Sequence, residues 1–200
     1  MRVIAGERKG YHLKGPAGSF TRPMADKIKG SLFSMLASLG IEPEHVLDLY
    51  AGTGSIGIEA LSRGAETADF VEQNPAAAAV VRANLEHTSY TDVTHVYQES
   101  VATFLARAGR SGDSASGYDL IIMDPPYADP ELVTTLERVG RSPLVKSETA
   151  LVIGHSPRVT LPDRAGILER LRERCHGDSC VSIYEAVAES DNDALKATDT

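Results

Sequence analysis

The sequence predicts a doubly wound, mostly parallel α/β sheet with a basic N-terminal extension. Three observations carry that expectation. Strand-like and helix-like stretches alternate through the middle of the chain, the pattern of successive βαβ units. A glycine turn, Gly52-Thr53-Gly54, joins the apolar run Val46-Leu47-Asp48-Leu49 to a mixed apolar stretch holding Ile56, Ile58, Ala60 and Leu61. Tyr118-Asp119-Leu120-Ile121-Ile122-Met123 has the near-continuous apolar character of a strand buried on both faces.

Taken in order, residues 1–14 read as a hairpin, with Arg2 to Ala5 and Tyr11 to Lys14 as short strands around the basic turn Gly6-Glu7-Arg8-Lys9-Gly10. A helix is predicted from Asp26 to Leu39, where Ile28, Leu32, Met35, Leu36 and Leu39 fall at helical spacing and Gly40 is the stop. The strand–turn–helix unit from His45 closes at Arg63-Gly64, and a second strand, Ala68 to Val71, ends in Glu72. Asn74-Pro75 opens a helix to about Glu86, Val93 to Gln98 is a third strand, and Val101 to Arg107 a short helix. Residues 109–117 are low in complexity and read as a surface loop. Beyond the Tyr118–Met123 strand come a helix from Leu132 to Val139, a strand from Ala150 to Gly154, a polar helix or loop from Arg164 to Arg174, and a last strand from Cys180 to Ala186. The expected division is a basic extension over 1–40, one main domain over 41–186, and an acidic, disordered tail over 187–200.

Composition bounds the class. A chain of 200 residues, 42% hydrophobic and 24% charged, suits one sizeable soluble domain plus a small extension. It holds no apolar run of membrane-spanning length and no apolar leader, so the expected location is the cytoplasm. Cys175 and Cys180 lack a second CxxC, and His176 adds no zinc spacing, so they read as reduced structural thiols with no metal. The net charge is −8, yet residues 1–40 carry seven cations (Arg2, Arg8, Lys9, Lys14, Arg22, Lys27, Lys29) against Glu7 and Asp26. That is +5 for the extension and −13 for the rest, a local basic arm suited to gripping phosphates in one place.

The glycine turn admits two cofactors. Gly52-x-Gly54-x-x-Gly57 matches the dinucleotide fingerprint, and Glu72 lies 20 residues past Gly52, where a ribose-binding acid is expected. Asp48 at the strand end decides between them, because a carboxylate there repels a pyrophosphate but suits the ammonium of S-adenosylmethionine. That molecule carries a sulfonium, an ammonium and a ribose diol, and no phosphate. Downstream, Asp124-Pro125-Pro126-Tyr127 follows the fourth strand, so the open-sheet rule places it beside the glycine turn. An acid, a carbonyl and an aromatic ring are what an exocyclic amine on a flat base requires. Tyr127 can stack on the base, while the Asp124 carboxylate and Pro125 carbonyl accept the amine hydrogens and turn the nitrogen lone pair toward the methyl donor. A sulfonium leaves readily, so positioning supplies most of the rate and no metal is needed.

The chain resembles the RsmD-type 16S ribosomal RNA guanine-N2 methyltransferases. The carriers are Met1-Arg-Val-Ile-Ala-Gly6, Thr21-Arg-Pro23, Asp48-Leu-Tyr-Ala-Gly-Thr-Gly54, Glu59-Ala-Leu-Ser-Arg-Gly64, Phe70-Val-Glu72, Asp124-Pro-Pro-Tyr127 and Cys180-Val-Ser-Ile-Tyr184, and they run from residue 1 to about 186. The resemblance implies a Rossmann-like fold dependent on S-adenosylmethionine, a monomer, and a substrate guanine in 16S rRNA within an assembling small ribosomal subunit. Carried onto this sequence, it nominates Asp124, Pro125, Pro126 and Tyr127 for the chemistry, and Asp48, Ala51, Gly52, Thr53, Gly54, Glu72 and Gln73 for the cofactor. Arg8, Lys9, Thr21, Arg22 and Pro23 are the expected RNA contacts, with the Arg8-Lys9 turn and Thr21–Pro23 loop on the same side as Asp124–Tyr127. Two departures stand out. Ser100, preceded by Glu99, occupies the place where such enzymes usually carry Asp or Asn at the cofactor adenine, leaving open which of the two meets it. Gly154 replaces the usual acid before His155, which is assigned no catalytic role. Competing readings are a DNA adenine-N6 methyltransferase, for whose target-recognition domain the chain has no room, and a non-catalytic or NAD-binding module, against which Asp48 and residues 124–127 speak.

Overall fold

The computed structural model describes residues 1–15, 26–108, 117–126 and 129–187. Its strands are β1 (His45–Asp48), β2 (Thr67–Val71), β3 (Thr94–Tyr97), β4 (Tyr118–Met123), β5 (Val145–His155), β6 (Arg164–Ala165), β7 (Leu168–His176) and β8 (Ser179–Ala186). Its helices are α1 (Asp26–Ser38), α2 (Ser55–Ser62), α3 (Pro75–Thr88), α4 (Val101–Ala108) and α5 (Leu132–Gly140), with a short 3₁₀ turn at Thr91–Val93. All strands join one sheet in the order β3-β2-β1-β4-β5-β8-β7-β6. The first five in that order run parallel, whereas β8 pairs antiparallel to β5 and β7 antiparallel to β8.

Helices cover both faces, which is why β4 reads as continuously apolar: Leu120, Ile121, Ile122 and Met123 are all buried. On one face Ile122, Val152 and Ile183 pack with the helical residues Leu32, Leu36, Ile58, Val81 and Leu85. On the other, Leu47, Ile121 and Ile153 pack with Phe104, Leu132 and Leu136. Asn74 caps α3, its side chain accepting from the Ala76 and Ala77 amides at 2.9 and 3.2 Å, with Pro75 at the first helical position. Among the described residues no helix is long and apolar enough to cross a membrane.

Two expectations need correction. The stretch Arg164 to Arg174, read as polar helix or loop, is β6 and most of β7. It was illegible because β7 buries only Leu168, while its partner β8 supplies the apolar side chains. Cys175 and Cys180, read as reduced thiols, are disulfide-bonded; the β7–β8 hairpin sets them directly opposite each other. The N-terminal segment forms the expected hairpin in a short version: Arg2 bridges His12, and the Val3 and Leu13 amides donate across it to the Tyr11 and Met1 carbonyls at 3.0 and 3.1 Å. Nearer the turn its amides donate to α2 instead: Ile4 and Ala5 to the Glu59 carboxylate at 2.8 and 3.0 Å, and Glu7 to the Ser62 carbonyl at 2.8 Å.

That docking explains α2, whose eight residues are all buried, Glu59 and Ser62 included. The arm seals the helix's outer face and satisfies its polar groups. Gly6 makes the approach possible, since a Cβ there would lie 1.6 Å from the Ser62 carbonyl oxygen. Beneath it sits a buried ion pair, Lys29 Nζ to Glu59 Oε2 at 3.3 Å, with both side chains fully enclosed. Lys29 also donates to the Arg2 carbonyl at 2.8 Å, and Arg63 meets the other Glu59 oxygen at 2.8 Å.

Candidate active site

Parallel pairing puts the carboxyl ends of β1 and β4 side by side, with Asp48 in register with Ile122. The glycine turn after β1 needs left-handed backbone, and Gly52 and Gly54 adopt φ of 57° and 76°. Gly57 matters for packing instead. A Cβ there would strike the Phe70 ring at 2.4 Å, so its absence lets α2 lie close on β2. Glu72 closes the turn from the neighbouring strand, accepting from the Gly52 amide at 2.8 Å and the Asn74 amide at 2.7 Å.

Asp48 is buried, and only one of its oxygens is used, accepting from the Gly57 amide at 3.3 Å. Its Oδ1 has no hydrogen-bond partner. Burial pushes its carboxyl up to about 7, with Asp124 and Glu72 adding to the shift and the Gly57 amide opposing it. Burial likewise raises Asp124 to about 6. Three acids thus converge at the sheet's carboxyl end with little cationic compensation, an arrangement that repels phosphate and attracts a cation. An orphaned buried carboxylate oxygen beside an open glycine turn fits the ammonium of S-adenosylmethionine, directly or through water, better than it fits a pyrophosphate.

The remaining nominated residues sort plainly. Ala51 and Thr53 are buried in the turn and Gln73 is exposed at the end of β2. Ser100 caps α4, its hydroxyl accepting from the Thr103 amide at 3.2 Å, while Glu99 pairs with Arg107 at 2.7 Å. Pro125 is buried, and the Pro126 carbonyl accepts from the Asp129 amide at 2.9 Å. Tyr127, Thr21, Arg22, Pro23 and the acidic tail beyond Val187 lie outside the described residues.

The Arg8-Lys9 turn is not at this end of the molecule. Arg8 donates from Nε to the carbonyl of Thr88, the last residue of α3, at 2.9 Å, and its guanidinium lies 5.4 Å from the Tyr90 ring. Its amide meets the Ser62 hydroxyl at the last turn of α2. The glycine turn opens α2 at the other end, one eight-residue helix away, about 12 Å. Arg8 therefore serves to fasten the arm, because its guanidinium is already engaged with a carbonyl and an aromatic face.

Asn84 escaped the sequence reading. Its amide donates to the carbonyls of Thr53 in the glycine turn (2.9 Å) and Lys14 at the end of the arm (3.2 Å), and its oxygen accepts from the Lys14 amide at 2.8 Å. One buried side chain thus ties the arm to the turn. Its available signal was an amide inside a helix with no cap to make, a placement that requires an outside partner.

Comparison with known proteins agrees with this geometry. Residues 1–185 match the family described as Conserved hypothetical protein 95. The chain belongs to that family. It is 36% identical over 185 residues to the Bacillus subtilis protein named "Putative rRNA methyltransferase YlbH", covering 92% of this chain and 98% of that protein. It is 26% identical over 194 residues to "Ribosomal RNA small subunit methyltransferase D" of Escherichia coli, covering 97% and 94%. The solved structure titled "Putative methyltransferase yhhF from Escherichia coli" superposes with a TM-score of 0.80 at 26% identity, over 94% of this chain and 99% of that one. The RsmD-type resemblance is borne out, the fold is the Rossmann-like fold of methyltransferases, and the protein is a methyltransferase.

Proposed function

We propose that this methyltransferase transfers a methyl group from S-adenosylmethionine to the exocyclic N2 amine of a guanine in 16S ribosomal RNA, in the cytoplasm, on an assembling small subunit. The observation that carries the reading is the pairing of a buried, half-unsatisfied Asp48 with Asp124-Pro125-Pro126 at the end of the adjoining strand. The names of the relatives supply the RNA class.

When bound, S-adenosylmethionine supplies a methyl group on a cationic sulfonium. Asp48 holds the ammonium end, the glycine turn lets the ligand approach backbone, and Glu72 presents a carboxylate to the ribose diol while keeping Gly52 in place. Asp124 accepts an amine hydrogen, and the Pro125 carbonyl accepts the other. Together they hold the nitrogen lone pair out of conjugation and aimed at the methyl carbon. Tyr127 stacks on the base. Asp124, or water, would take the proton that the amine loses on methylation.

The decisive experiment offers labelled S-adenosylmethionine with unmodified small-subunit particles, naked rRNA and duplex DNA, and identifies the methylated nucleoside. N2-methylguanosine from the particle is the expected product; N6-methyladenosine, or label in DNA alone, overturns the reading. Two binding measurements test the donor pocket. Glu72→Ala removes acceptors worth about 1.5–3 kcal/mol each before relaxation and frees the glycine turn, so affinity should fall at least tenfold; unchanged affinity in a folded variant refutes the role. Affinity should also fall as pH drops through about 7, because protonating Asp48 removes the charge that faces the ammonium. Cation binding favours the ionised carboxylate, so the limb in the complex should sit at or below that value. A pH-independent affinity between 5 and 8 contradicts Asp48 as the ammonium partner.

A further inference from the structure

Since the Arg8-Lys9 turn lies at the far end of α2, other cations must meet phosphates at the active-site end. Two stand there without any sequence signal. The register of the sheet runs level from Asp48 to Ile122, Val152, Ile183 and then Arg172 on β7. Two rows further on, Gly154 pairs with Val181, and Val181 with Arg174. Met123 pairs with Ile153, so Asp124 falls in the row of Arg174. The two arginines are therefore level with the two acids of the site, three to four strand spacings away, about 14–19 Å.

Their direction follows from the same pairs. Directly opposite residues share a face, and Ile183 and Val181 belong to the core on the side of α1, α2 and the N-terminal arm. Arg172 and Arg174 are exposed on that side. Neither makes an ion pair among the described residues, although their neighbours do: Glu169 with Arg164 at 2.5 Å, and Glu173 with Arg170 at 3.3 Å. The acids of β7 are thus spoken for and the two arginines are not. The Cys175–Cys180 disulfide ties β7 to β8 one position beyond Arg174, so the pair is presented on a braced hairpin and not a loose loop.

Resting on the rRNA reading above, we propose that Arg172 and Arg174 form a second phosphate-binding surface, on which the RNA strand flanking the target base lies while that base enters at Asp124. The body carries strong negative charge, so an unpaired dibasic edge level with the active site is where a polyanion can approach. Two guanidiniums on one strand face sit at alternate positions, a spacing that lets each take a separate phosphate.

The test compares wild type with Arg172→Glu/Arg174→Glu, with the milder Arg172→Gln/Arg174→Gln, and with a control reversal of two exposed arginines elsewhere, Arg82→Glu/Arg141→Glu. Methylation of small-subunit particles and naked rRNA is measured across a salt series, with S-adenosylmethionine affinity and melting temperature as folding controls. Both β7 variants should raise KM for RNA by about tenfold or more, with kcat at saturation nearly unchanged, and should flatten the salt dependence by about two contacts. Donor affinity should stay as in wild type. A wild type that methylates no small-subunit RNA overturns the functional reading and this surface with it. An active wild type whose β7 variants and control behave alike overturns the surface alone. A defect on particles but not on naked rRNA places a ribosomal protein, and not phosphate, against the hairpin, and also overturns it.

Discussion

Asp124→Ala should lower methyl transfer by about a hundredfold to ten-thousandfold, the range expected when a positioned carboxylate is removed from a reacting proton. Donor binding should be largely retained, because Asp48, the glycine turn and Glu72 are untouched. Asp124→Asn separates charge from geometry: it keeps an acceptor oxygen but cannot take a proton, so it should fall between wild type and Ala. The pH profile gives a second readout. Burial raises Asp124 to about 6, and a protonated carboxyl donates where an acceptor is needed. Activity should therefore fall as pH drops through about 6, and that limb should vanish in Asp124→Asn. An Ala variant with near wild-type turnover, or an Asn variant with the same acid limb, would remove Asp124 from the chemistry.

Glu59→Ala should be the most destabilising single substitution considered. It leaves Lys29 charged in a site with no solvent exposure and strips acceptors from the Ile4 and Ala5 amides. Removing one partner of a buried pair costs about 3–5 kcal/mol, which for a chain of this size lowers the melting temperature by roughly 6–20 °C. The direction with pH is specific. Burial already lowers the Lys29 pKa, with Glu59 opposing, so losing Glu59 must lower it further. The unfolded chain then binds more protons than the folded one, and the variant should regain stability as pH rises from the folded value toward that of an ordinary lysine. Lys29→Met/Glu59→Leu should recover the part of the loss that comes from the stranded charge but not the part that comes from the Ile4 and Ala5 amides, which still lack their acceptors. A melting temperature unmoved in Glu59→Ala would mean the arm is held by its apolar contacts alone. Both outcomes bear on function, because the same arm reaches the glycine turn through Asn84.

Much of this molecule was legible in one dimension. Val46 to Leu49, the glycine turn, Glu72 and Asp124-Pro125-Pro126 lie within or just beyond parallel βα units, where local signals suffice. An apolar run means burial on two faces, glycine means positive φ or close approach, and the carboxyl end of a parallel strand is where ligands sit. The strand–turn–helix unit, the acids at its rim and the donor chemistry all followed from such patterns. Lys29 counts by sequence among the arm's phosphate-gripping cations, yet it is buried against Glu59; its helical spacing with Leu32, Phe33 and Leu36 was the available signal, and a stripe of core residues hides one charge easily.

Tertiary structure decided what depended on partners distant in sequence. Nothing local distinguishes Leu168-Glu-Arg-Leu-Arg-Glu-Arg-Cys-His176 from a polar helix, because β7 borrows its apolar surface from β8 across the hairpin. The same pairing turned two cysteines five residues apart into a disulfide. The arm's basic turn looked like an RNA clamp by charge alone, yet Ser62 and Thr88 hold it at the far end of α2, and Arg8 is spent on fastening it. Charge is a property of composition, but where it points is a property of register. Only the pairing of five strands puts Arg172 level with Asp48, 124 residues apart in sequence.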